Sequence, residues 1–221
     1  MRISVCRYWQ SPVSIGLFAL FALLTLFVVV KGHDGATNFD LSVQTMTQRI
    51  RTPFLTEVMK IVTNLGSVPV LGLFIGLALF VFLRRKEMHE AIWAGLVAAF
   101  AFVADQAIKL IVHRPRPVSW LGLIPLERYS FPSGHATMAL VVGLLVYRAL
   151  YRIRSGETSK LTHRSQSMVA AFVIAILVFL IGASRIYLGV HWLSDVVGGW
   201  LLGGGIAVCG ACFKNRKGQD E

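Results

Sequence analysis

The chain has 221 residues, 55% hydrophobic against 15% charged, with a mean hydropathy of +0.65 and a formal net charge of +11. That balance excludes an ordinary water-soluble domain, in which charged residues make up about a quarter. It also changes what the positive charge means: in a soluble protein +11 would suggest a nucleic-acid partner, whereas here the basic residues follow the loops between apolar blocks, the pattern of a polytopic membrane protein.

The first apolar block covers 12–30, behind Arg2 and Arg7. It resembles a secretory leader, but "VVVKGHDGATN" offers no small-x-small cleavage site, so an uncleaved first helix is expected. Next comes "NFDLSVQTMTQRIRTPFLTEVMKIVTNLG", 38–66, with polar and apolar residues mixed at helical spacing. It predicts one or two helices lying at the membrane interface; a lid and a structural collar would look alike here. The second block covers 67–83 and is followed by Arg84, Arg85 and Lys86.

The third block covers 91–112 and runs out through "DQAIKLIVHRPRP", 105–117. Asp105 and Lys109 are four residues apart and share a helix face, so they can pair. Pro115 and Pro117 end the helix and push Arg114 and Arg116 toward extended backbone. A snorkelling lysine and a basic loop would give the same pattern.

The fourth block, 135–151, opens with Pro132-Ser133-Gly134-His135. Serine is a good N-cap and glycine permits close backbone approach. The free amides and positive dipole end of a helix start form a ready anion site. Simple capping, with His135 at the interface, is the plainer alternative.

The fifth block, 167–183, closes with Ser184 and Arg185, and the sixth, 192–213, opens beside His191 and Asp195. The i, i+4 spacing stacks imidazole and carboxylate on one face. A carboxylate there fixes the tautomer and raises the basicity of the far nitrogen, as in a catalytic triad; a buried structural His–Asp pair would share the spacing. Within the sixth block, Gly199-x-x-x-Gly203 is a membrane packing pattern. Cys209-x-x-Cys212 lies in an apolar helix, where small packing residues are a better account than a redox or zinc site.

Six spans place 13 of the 22 basic residues on one side: Arg2, Arg7, Arg84, Arg85, Lys86, Arg148, Arg152, Arg154, Lys160, Arg164, Lys214, Arg216 and Lys217. The positive-inside rule makes that side the cytoplasm, with both termini in it. All three polar clusters then fall at the opposite, extracytoplasmic end. Intramembrane ionisable groups are costly, so their gathering there reads as a functional site. Cations and helix-end amides suit a compact anion and histidines offer a nucleophile and an acid, a combination pointing to phosphoryl transfer.

Lys109 with Arg116-Pro117, Pro132-Ser133-Gly134-His135, and Ser184-Arg185 with His191 and Asp195 resemble, at every signature position and in order, the three motifs of the type 2 phosphatidic acid phosphatase family. Soluble vanadium haloperoxidases share the motifs but lack the spans. The resemblance implies an all-α, polytopic bundle of six transmembrane helices with the short interfacial segment before the second span, forming a single membrane-embedded domain over 1–221.

It implies that His191 attacks phosphorus to give a phosphohistidine and that Asp195 orients it. His135 would protonate the leaving oxygen and then activate water. Lys109, Arg116, Arg185, Ser133 and Gly134 would hold the phosphate oxygens, with no metal and no cofactor. Partners would be the bilayer and a lipid phosphate (undecaprenyl diphosphate, phosphatidylglycerol phosphate or phosphatidic acid), with no nucleic acid. The setting would be a bacterial inner or plasma membrane. His113, Arg114 and Arg128 lie outside the signature and are candidate contacts to further substrate charge. A lipid phosphotransferase would use the same site. A bis-histidine haem protein on His135 and His191 would have no need of the cations, and an anion or lipid transporter no need of the His–Asp pair.

Overall fold

The computed structural model describes residues 6–31, 37–117, 129–154 and 160–217, with side chains over 12–30, 37–117, 129–153 and 165–210. Eight helices account for almost all of it, and there is no strand among the described residues: α1 Cys6–Lys31, α2 Asn38–Arg49, α3 Pro53–Asn64, α4 Val68–Arg84, α5 Met88–Val112, α6 Gly134–Arg154, α7 Lys160–Tyr187 and α8 Leu193–Lys217.

Five of these, α1 and α5 to α8, are long and apolar enough to cross a bilayer. The sixth expected span is less regular. α4 has 17 residues, about 25 Å of helix against a hydrocarbon core of roughly 30 Å. It qualifies only together with α3, from which it is bent by 42°. The segment expected at the interface is thus two helices, and the second of them continues into the second span. Local signals set these ends. Thr37 and Asp40 form a reciprocal capping box at α2, and Thr52 caps α3 with Pro53 in its first turn. α5 stops at His113, which takes up the left-handed conformation just before Pro115.

α6 is the centre of the bundle, packed against α4, α5, α7 and α8, while α1 lies on α8. Small residues allow the close packing. The buried face of α5 carries Ala91, Ala94, Ala98, Ala101 and Asp105, spaced by three and four, beside Glu90 and Val97. Leu96, Phe100, Val103 and Leu110 face outward. An apolar exterior around a small-residue interior suits lipid as the surrounding solvent. On α8 a Cβ at Gly199 would lie 2.7 Å from the Ser133 carbonyl oxygen, and one at Gly203 would lie 2.6 Å from that of Thr137. The glycine stripe therefore seats the first turn of α6, the turn that opens the fourth block. Cys209 is a free, half-buried thiol.

At the other end of the bundle, two of the loop cations have specific partners. Glu90 of α5 is buried and pairs with Arg148 at 3.0 Å and Arg152 at 2.5 Å from α6. Arg148 also covers the Trp93 ring, 4.3 Å from its centroid.

Candidate active site

The end of α5 supplies the first component. Lys109 and Asp105 pair as their spacing suggested. Asp105 is buried and also accepts from Thr137 Oγ1 of α6 at 3.2 Å and from Gln106 at 3.0 Å. The lysine is thereby drawn toward α6: a Cβ on Gly134 would lie 3.5 Å from its Nζ. Beyond α5 the chain is pinned by Ser130, whose amide and hydroxyl donate to the carbonyls of Arg114 and Pro115. Arg116 donates to the Val190 carbonyl at 2.8 Å and the Tyr129 carbonyl at 3.3 Å.

The second component is the start of α6. Ser133 stands at the cap position, but its hydroxyl makes no cap bond. It is fully buried and without a hydrogen-bond partner among the described residues. Its amide donates to the Asp195 carbonyl at 2.9 Å, tying the α6 turn to α8. The His135 ring lies against Gly66, where a Cβ would come within 2.9 Å of it. Arg185, Arg116 and Lys109 are all near enough to act on that ring electrostatically.

The third component is the turn between α7 and α8. Arg185 donates to Thr63 Oγ1 of α3 at 2.9 Å, while its Nε has no partner among the described residues. His191 precedes α8 instead of lying within it, so the i, i+4 spacing works through a helix cap. Asp195 Oδ2 accepts the Trp192 amide at 2.9 Å and faces His191 Nδ1 at 3.3 Å. Arg116 Nη1 stands 3.2 Å from His191 Nε2. A guanidinium can only donate, so the network assigns the proton to Nδ1 and leaves a lone pair on Nε2. Burial first, then the charges of Arg185, Arg116 and Lys109, hold the imidazole well below the ordinary histidine pKa. It is neutral at neutral pH, as a nucleophile must be.

The structure thus brings Lys109, Arg116, Ser133, Gly134, His135, Arg185, His191 and Asp195 to one end of the bundle. The residues outside the signature behave differently. His113 is exposed, with its ring edge-on to Tyr129. Arg128 lies outside the described residues. Arg114 does not face substrate: it is 3% exposed, and its two Nη atoms bind Asp195 at 2.5 Å and Asp40 at 2.7 Å. Pairing it with an external anion would mean breaking two buried ion pairs. Asp40, Ser194, Thr63 and Gly66 were not singled out from sequence. Their partners are remote in the chain, and only the capping pattern around Asp40 marks any of them locally.

Ser133 Oγ and Arg185 Nε, without partners among the described residues, three cations and an unprotonated imidazole nitrogen are groups able to bind an oxyanion and to attack it. Residues 90–219 match the family model of the PAP2 superfamily. The chain is 33% identical to phosphatidylglycerophosphatase B of Bacillus subtilis, over 87% of this chain and 89% of that one. It is 27% identical to an undecaprenyl-diphosphatase of Sulfolobus acidocaldarius, over 86% of each. The crystal structure of a transmembrane PAP2-type phosphatidylglycerolphosphate phosphatase from Bacillus subtilis superposes with a TM-score of 0.76 at 26% identity, covering 92% of this chain and 96% of that one.

Proposed function

The chain belongs to the PAP2 superfamily, and from that premise we propose that it is a membrane lipid phosphatase working through a phosphohistidine on His191. The observation that carries this reading is the deprotonated Nε2 of His191, which accepts from the Arg116 guanidinium at 3.2 Å, with Ser133 Oγ and Arg185 Nε nearby and without hydrogen-bond partners among the described residues. A phosphoryl group in that space meets donors already in place, so little reorganisation accompanies charge development.

In the first step Nε2 attacks phosphorus in line, and the bond to the lipid oxygen breaks. His135 gives its proton to that oxygen. Asp195 accepts the Nδ1–H and stabilises the positive charge that grows on the His191 ring. Lys109, Arg116 and Arg185 neutralise the equatorial oxygens, with Ser133 Oγ and the Gly134 amide as further donors. In the second step His135 takes a proton from water, which attacks the phosphohistidine and releases phosphate. Three cations supply the charge that a metal ion supplies elsewhere, which supports a metal-independent reaction.

A lipid substrate is supported by what adjoins His135. An apolar groove of about 130 Å³ between α4, α6 and α7 is lined by Leu65, Phe74, Val142, Ile174 and Ile181, and Ile181 and the His135 ring both lie against Gly66. A headgroup at His191 leaves an attached chain able to stay among apolar side chains. The relatives' names support phosphatidylglycerol phosphate and undecaprenyl diphosphate as substrates, with phosphatidic acid the further candidate. The distribution of loop cations supports a site on the extracytoplasmic face.

The test is phosphate release in detergent from phosphatidylglycerol phosphate, undecaprenyl diphosphate and phosphatidic acid, with product analysis in the presence of alcohols. Release from at least one lipid in preference to a water-soluble phosphate ester is expected. Transfer to alcohol without free phosphate would make the protein a phosphotransferase, and no turnover of any lipid would overturn the reading.

A further inference from the structure

Asp40 and Arg114 form a buried ionic bridge that the signature residues do not account for. Asp40 is 1% exposed, belongs to α2, and lies 154 residues before Ser194 in sequence. Its Oδ1 accepts the Ser194 amide and hydroxyl, both at 2.9 Å. Its Oδ2 accepts Arg114 Nη2 at 2.7 Å and the Thr37 hydroxyl at 2.9 Å. Burial works against the charged form of Asp40, but the Ser194 hydrogen bonds and then the Arg114 charge overcome it, so its carboxyl lies below the usual range. Arg114 Nη1 in turn meets Ser194 Oγ at 2.7 Å and Asp195 Oδ1 at 2.5 Å.

We propose that Asp40, Arg114 and Ser194 are positioning residues that clamp Asp195 so that its Oδ2 alone is presented to His191, making α2 part of the catalytic machinery. The division of labour on Asp195 is what points there. Oδ1 is taken by Arg114, and Oδ2 is left for the imidazole and the Trp192 amide. A carboxylate held at one oxygen by a guanidinium cannot swing about its χ2 axis. The guanidinium is itself held, because Asp40 grips its other Nη and is anchored to the first turn of α8 through Ser194. The bridge joins three parts of the chain: α2, the segment after α5, and α8. Asp40 and Ser194 bond to each other and to Arg114, and Arg114 bonds to Asp195, so their effect on the dyad passes through Asp195.

The inference rests on the His191–Asp195 reading above, and the experiment separates the two. Turnover of whichever lipid phosphate the release assay above finds hydrolysed is measured in detergent for Asp40→Asn, Ser194→Ala and Asp195→Asn, and for each of the first two combined with the third. Asp40→Asn should lower kcat about 10- to 100-fold, since misplacing a reacting group by an ångström costs up to about 10²-fold. KM and the vanadate inhibition constant should stay within about twofold, because the anion donors are untouched. In the Asp195→Asn background the same substitution should cost less than about twofold further, as expected of groups acting through one partner. Ser194→Ala removes no charge from the interior. It should show the same pattern at about three- to tenfold and carries the test if Asp40→Asn fails to fold. Equal losses in both backgrounds, or a raised KM with unchanged kcat, would overturn the clamp. Full turnover by Asp195→Asn would overturn the dyad itself, and the clamp with it.

Discussion

Gly199→Ala tests whether the α6–α8 contact sets the position of the phosphate-facing turn. The added Cβ would lie 2.7 Å from the Ser133 carbonyl oxygen, 2.9 Å from Ala136 Cβ and 3.1 Å from the Thr137 amide nitrogen, where ordinary contact begins at 3.4 Å. Two of those three atoms are backbone, so no rotamer change relieves them, and the α6 turn must retreat by about 0.7 Å. Overpacking of this kind costs about 1–3 kcal/mol, offset in part by about 0.5–1 kcal/mol from replacing a mid-helix glycine. The protein should therefore fold. Activity should suffer more, because the displaced residue is Ser133 and its amide ties the turn to Asp195. A shift of this size should lower kcat about 10- to 100-fold. The assay is lipid phosphate release beside a thermal melt, with Gly76→Ala as control, since a Cβ there meets nothing within 4 Å. Wild-type kcat in a folded Gly199→Ala protein would refute the claim that this contact places the cradle.

Activity should survive EDTA and be blocked by vanadate, whose five-coordinate adduct on His191 would mimic the transition state; strict restoration by added Mg²⁺ or Zn²⁺ after chelation would contradict this. Because the folded-state pKa of His191 is depressed, the unfolded chain takes up a proton below about pH 6.5 that the folded chain does not. The contribution of His191 to stability is therefore full above that pH and is lost as pH falls through it. His191→Asn, which cannot titrate, should show a shallower acid-side fall in melting temperature, and identical slopes would count against a buried neutral imidazole. Cysteine placed at exposed Glu57 on α3, beside the site, should react with a membrane-impermeant thiol reagent in intact cells, while one at His89 should not; the reverse would put the site in the cytoplasm.

Hydropathy and helix punctuation carried most of the fold. Long apolar blocks, Pro115 and Pro117 after α5, and the Pro-Ser-Gly turn before α6 are local features that act where they stand. The second span was harder to read, because α4 is short and borrows length from the amphipathic α3 across a bend. The signature positions were legible for the same local reason: three short motifs, each at a helix end. Asp40 was not legible as part of the site. Within its own segment it is a capping residue, and nothing nearby says that its carboxylate also holds Arg114 and Ser194. Arg114, a candidate contact to substrate charge in the sequence, instead holds Asp40 and Asp195, because a surface loop and a buried bridge look alike in "HRPRP". Thr63 and Gly66 were silent too, since their roles exist only once α3 lies against α7 and the turn after it meets Ile181 and His135. Local signals find helix ends, whereas buried polar partners more than 70 residues apart need the fold.

The central claim is covalent attachment of phosphate to His191, and trapping it is the most direct test. Protein mixed with the ³²P-labelled form of the lipid phosphate it hydrolyses and quenched within milliseconds in alkaline detergent should carry label that is stable to base and lost in acid, as a phosphoramidate is. Fragment mapping should place it on His191, and His191→Ala should carry none and release no phosphate. Label on another residue, or full turnover by folded His191→Ala protein, would contradict the account.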